Sequence, residues 1–250
     1  MIALLLMLAA APDVVPGGDA ERMHACLALA GTDPAKAVTE ATAWIAASGG
    51  VPARHCLGTA EVARENYGPA AKAFEEAAQL ADAQQWANAA TFWTAAGNAA
   101  LAGGEAGRAR DLLGKALAHR DLTGPYRGET LLDRGRANVQ AGDPAAARAD
   151  IDEALKLVDK DPMAWLLSAT LARRQGDAER AEKDIEEAVR LAPDAAPVAY
   201  EAGNVAAMIG AVEAARVAWT RAVAADPGSD AGRAAQTALA RLDRPQSEER

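Results

Sequence analysis

The chain has 250 residues, 50% of them hydrophobic, 24% charged and 4% aromatic, and 68 are alanine. Such a composition can bury a core, which argues against global disorder, and alanine's preference for helices over strands all but excludes an all-β fold. The formal charge of −9 argues against nucleic acid or an anionic membrane surface as the main partner. Three His, two Cys and five Met leave little material for a metal or redox centre.

Residues 2–11 (Ile-Ala-Leu-Leu-Leu-Met-Leu-Ala-Ala-Ala) are uninterrupted apolar and stop at Pro12-Asp13. As a helix they span about 15 Å, half a bilayer core, so no integral membrane span is expected. The run has the size of a signal-peptide core, and Ala9-Ala10-Ala11 supplies small residues for cleavage. No Lys or Arg precedes it. The expectation is a leader over 1–11 and a periplasmic or secreted protein; the alternative is an apolar helix docked on a cytoplasmic body. Arg outnumbers Lys 20 to 6, a usage expected of GC-rich bacterial coding.

Farther on, the chain repeats. Gly142-Asp143-Pro144, Gly176-Asp177-Ala178 and Gly210-Ala211-Val212 recur every 34 residues. After each Gly come an Ala (Ala147, Ala181, Ala215), a bulky residue (Ile151, Ile185, Trp219) and a second Ala (Ala154, Ala188, Ala222). Before each lies a small residue: Gly135, Ala169 or Gly203. This predicts a helix–turn–helix unit. Helix A ends at the Gly in a left-handed cap, Asp143 or Asp177 sits near the start of helix B, and small residues mark where the two helices approach closely. Pro193 and Pro227 then separate one unit from the next.

These residues resemble the tetratricopeptide repeat family. Upstream, Leu57, Gly58, Tyr67, Ala70, Phe74 and Ala77 form one further copy, and Trp93, Gly97, Gly104, Ala109, Leu113 and Ala116 another. The earliest copy holds Ala25, Thr32-Asp33-Pro34, Ala37, Ala41 and Trp44. The resemblance implies an all-α, right-handed superhelical solenoid of about six repeats over 18–228, at 18–50, 51–84, 90–122, 128–161, 162–195 and 196–228. Two longer intervals place extra residues near Asp82–Gln85 and His119–Pro125. The family's usual helix A aromatic is replaced by Ala100, Asn138, Ala172 and Ala206. Ser229-Asp230 look like the cap of a last helix in 229–243, which would cover the apolar end of the solenoid. A mobile tail, 244–250, is expected beyond it. No interdomain linker stands out, so one elongated domain is expected.

Adjacent A helices stack side by side in this family, so Cys26 and Cys56, on neighbouring units, could meet. Two Cys in an exported chain read as one structural disulfide, which would stabilise by roughly 3 kcal/mol; the alternative is two buried thiols. His24 and His55 accompany them, but His24 and Cys26 point about 200° apart on a helix, which argues against zinc. His119 is expected to be solvated in a turn, and Trp86 exposed.

No catalytic or cofactor motif stands out. A nucleophile elbow, a phosphate-binding glycine loop and a His-Glu-x-x-His pair are all missing. No enzyme activity and no cofactor are expected. The resemblance instead implies that helix A residues line a peptide-binding inner face. Its candidate positions are Thr94, Asn98, Leu132, Arg136, Met163, Leu166, Thr170, Arg173, Arg174, Tyr200 and Asn204. One reading has the arginines fork a peptide carboxylate while the Asn residues bond extended backbone. The other has the arginines pair with neighbouring carboxylates. The expected function is a non-enzymatic scaffold or adaptor for another protein or an extended peptide. The alternative is a cytoplasmic or membrane-tethered regulatory subunit of an enzyme complex.

Overall fold

The computed structural model describes residues 17–243, and within them it shows thirteen α-helices and no strand. The expected leader at 1–11 and tail at 244–250 lie outside the described residues. Helices α1 (Gly17–Thr32) to α6 (Ala106–Ala118) fall in one compact unit, Met1–Thr123, and α7 (Gly124–Gln140) to α13 (Asp230–Leu242) in a second, Gly124–Arg250. Between them His119 leaves α6 in an extended conformation (φ −72°, ψ 128°) and Gly124 enters α7 at φ +54°, with the five residues His119–Thr123 as the connector.

In the first unit, α1 is followed by α2 (Pro34–Ala46), α3 (Gly50–Ala63), α4 (Tyr67–Ala83) and α5 (Ala89–Ala102). In the second, α8 (Pro144–Ala154), α9 (Pro162–Gln175), α10 (Ala178–Leu191), α11 (Ala196–Met208) and α12 (Val212–Ala225) precede α13. Helices adjacent in sequence pack against each other within each unit.

The turns explain where these helices start and stop. Gly142, Gly176 and Gly210 all adopt left-handed φ of +77° to +79°, which costs a residue with a Cβ about 1 kcal/mol or more. Asp143 accepts the Ala146 amide at 3.0 Å and Asp177 the Arg180 amide at 3.1 Å, satisfying helix donors that lack an internal partner. Asp33, Asp161 and Ser229 cap α2, α9 and α13 in the same way.

Alanine lets the helices close up. Ala37, Ala41, Ala60, Ala70, Ala77 and Ala96 are fully buried, as are Ala147, Ala181 and Ala188 in the second unit. Larger residues plug the crossings: Trp44, Phe74 and Leu113 in the first unit, Ile151, Ile185 and Trp219 in the second. Leu239 and Leu242 of α13 pack on the Trp219 cluster.

Candidate peptide-binding site

In the second unit α9, α11 and α13 lie side by side. Leu166 and Thr170, four residues apart on α9, lie on one face of that helix and border a groove. Pro197 and Tyr200 of α11 form the facing wall, and Ala231 and Ala234 of α13 close the end. Together they enclose a groove of about 410 Å³ whose lining is mostly apolar, with Glu201 and Asp230 as its charged members. Thr170 and Tyr200 are half-buried, and neither side chain makes a hydrogen bond within the described residues, which leaves two hydroxyl groups for a ligand. Of the expected binding positions, Leu166, Thr170 and Tyr200 are thus brought together.

Others are placed differently. Leu132, at 3% exposure, belongs to the core and not to an open face. Met163 is exposed, and Thr94 and Asn98 sit on α5 in the first unit. Arg173 is not a free fork: its Nε and Nη2 donate to Glu201 at 2.6 and 3.3 Å. Glu201 is buried on α11, and an uncompensated carboxylate there would be costly. Arg136 donates to Asp133 at 2.6 Å on its own helix. Asn204 is engaged at both ends of its amide, donating to Glu201 at 2.9 Å and accepting from Trp219 Nε1 at 3.2 Å. Arg174 alone of the three arginines is exposed with no ion pair among the described residues. For Arg136 and Arg173, pairing with neighbouring carboxylates is therefore the arrangement observed.

A second charged network stands outside the sequence expectations. Asp150 and Asp184, on α8 and α10, are buried at positions 34 residues apart. Arg134 clasps Asp150 in a bidentate pair at 2.8 and 2.5 Å, and Asn138 adds a bond at 2.9 Å. Asp184 accepts from Ser168 Oγ at 2.5 Å and from Arg180 Nε at 3.3 Å. Arg148 and Arg180 also converge on Asp152. Burial pushes the Arg148 guanidinium below its usual range, while the Asp152 charge opposes that shift. The signal that could have found this cluster was the recurrence of Asp at one position of consecutive B helices. Its cations and carboxylates pair with one another, while Arg148 Nε and Asn138 Oδ1 stay buried without a hydrogen-bond partner, and it reads as a structural network.

In the first unit the Sγ atoms of Cys26 on α1 and Cys56 on α3 lie at disulfide distance, with Cα atoms 6.0 Å apart. Both are buried beside Ala41, Leu27 and Leu57. Trp86 is half-buried against Phe92, ring centroids 6.5 Å apart, and so is not the exposed indole expected. His119 is flanked by Asp82 at 3.4 Å and Asp121 at 3.8 Å, so it too is placed and not simply solvated. Among the described residues no helix is long and apolar enough to cross a membrane.

A family model described as tetratricopeptide repeat matches residues 132–196 and 166–230. No curated protein matches the chain in sequence. Solved structures do. PilW, a widely conserved type IV pilus biogenesis factor, is similar with a TM-score of 0.73 at 17% identity, covering 90% of this chain and 100% of its own. PilF of Pseudomonas aeruginosa gives 0.67 at 16% identity, over 88% of this chain and 99% of its own. YrrB, a TPR protein with an unusual peptide-binding site, gives 0.54 at 20% identity, over 74% and 91%. At these identities the likeness shows the fold alone: an all-α solenoid of helix–turn–helix repeats.

Proposed function

We propose that this chain, whose residues 132–230 match tetratricopeptide repeats, is a non-enzymatic adaptor that binds an extended segment of another protein. Binding takes place in the groove between α9, α11 and α13. The observation that carries this reading is the groove itself. Three separate helices contribute an apolar floor at Leu166, Pro197 and Ala234, and two unengaged hydroxyls at Thr170 and Tyr200. An extended peptide offers the matching chemistry, apolar side chains alternating with backbone groups that need partners. Arg174 on α9 supplies an unpaired cation on the same helix. The peptide-binding site for which YrrB is described agrees with this use of the fold.

The same proposal places the protein outside the cytoplasm. The apolar run at 2–11 has the dimensions of a leader, and Cys26 and Cys56 sit where an oxidising compartment would join them.

Two measurements test this. Display of extended peptides should yield binders that Ala234→Trp abolishes without loss of helix content, because the indole fills the groove; binding that survives would move the site elsewhere. Intact mass of protein expressed in a Gram-negative host, with and without alkylation, should show loss of about the first 11 residues and two protected cysteines. A full-length chain with two alkylated thiols would move the protein, and its partner, inside the cell.

A further inference from the structure

A different cavity lies in the first unit. It encloses about 190 Å³ between α1, α3 and the turn that leads into α5. Met23, Val51, Pro52, Trp86 and Phe92 wall it, His55 stands at its side, and Asn88 and Thr91 form the polar rim. None of these residues carries a formal charge at neutral pH, in a chain of which 24% is charged. The occupant that complements such walls is uncharged. The size narrows it further: an apolar cavity of roughly 150 Å³ holds one benzene ring, and drug-sized ligands need roughly 300 Å³ or more.

His55 adds a direction. Its Nδ1 is buried with no hydrogen-bond partner. A proton there would be an orphaned donor, so the neutral ring keeps its proton on Nε2. Burial keeps the ring neutral by lowering its pKa. The ring is held edge-on to Phe92 with centroids 5.4 Å apart, and tilted against Phe74 at 6.0 Å. The walls are also tied together. Cys26 is one helical turn beyond Met23, and Cys56 directly follows His55, so the cysteine pair joins α1 to α3 beside the cavity.

We propose that this cavity is a second recognition site, which takes a single phenyl-sized apolar side chain of a partner polypeptide while His55 Nε2–H donates to the adjoining backbone carbonyl. The site is independent of the groove in the second unit, and either could exist without the other.

The test uses the full chain and two probes, N-acetylphenylalanine methylamide and N-acetylglycine methylamide. The phenylalanine probe should shift the His55 and Trp86 resonances in NMR spectra saturably, with an affinity about tenfold or more above that of the glycine probe. Thr91→Trp, placed on the exposed rim, should lower that affinity about tenfold with helix content unchanged. If that variant loses helix content, Asn88→Phe at the rim takes its place. Ala234→Trp, which blocks the other groove, should leave the probe's affinity as it was. No saturable shift, equal affinity for the two probes, or full affinity in the folded rim variant would overturn the proposal.

Discussion

Gly58 and Phe74 meet where α3 crosses α4: a Cβ added to Gly58 would lie 2.6 Å from the Phe74 ring. The same relationship holds for Gly97 with Leu113 at 2.5 Å, for Gly135 with Ile151 at 3.1 Å, and for Gly203 with Trp219. In each pair the partners are 16 residues apart. Each small residue is the hole into which the following helix inserts a large residue, and that sets how near the two helices can come.

Gly58→Ala should therefore destabilise the first unit, since the ring has to yield or the helices have to part. The expected cost is about 1–3 kcal/mol, the usual range for an overpacked core. Urea unfolding measures it, and an unchanged midpoint would show that the crossing has slack.

Oxidation state should matter for the first unit. If Cys26 and Cys56 are joined, the bond closes a loop over a sequence separation of 30 residues, for about 3–4 kcal/mol in the chain-entropy model. Thermal melts with and without a reductant should differ accordingly, and Cys26→Ser with Cys56→Ser should melt with the reduced protein. Identical melts would mean that the two thiols only pack.

Removing the Arg173 guanidinium should strand Glu201 in the core of the second unit. Arg173→Met is expected to cost about 2 kcal/mol, less than for a wholly buried pair because the Arg173 side chain is 27% exposed. Adding Glu201→Met should recover most of that loss, because no buried charge remains. A single variant as stable as the parent would show that solvent already shields Glu201. The same logic makes Arg173→Glu a poor probe of ligand binding, since it sets two carboxylates against each other.

His55 should give stability a pH dependence of known sign. Burial holds its pKa below the ordinary 6.5. Between those two values the unfolded chain binds more proton, so stability rises with pH there and is lost as pH falls through 6.5 toward the folded value. Urea midpoints for the parent and His55→Gln between about pH 5 and pH 8 isolate this effect, because the other titrating groups are common to both. The variant's curve should be the flatter one, and parallel curves would place the imidazole in solvent.

Much of the fold was legible in the sequence because its determinants are local. Gly142, Gly176 and Gly210 mark turns that need left-handed backbone, Asp143 and Asp177 mark helix starts, and the small and bulky residues of each crossing fall at constant spacing. The candidate sites were legible only in part. The family resemblance pointed Leu166, Thr170 and Tyr200 to one inner face. It could not tell that Leu132 would be covered, or that the Arg173 fork would close on Glu201, 28 residues away in the chain.

By itself, then, the sequence determined the helical class, the helix–turn–helix period and the turn geometry. Each of these depends on residues within about one or two helix lengths of one another. Tertiary structure alone decided the division into two compact units, the pairing of Arg173 with Glu201, and the His55 cavity built from α1, α3 and the start of α5. Those depend on which faces of distant helices meet. Coulomb attraction between buried charges and the shape of a cavity are properties of distance in space, and no spacing along the chain encodes them directly.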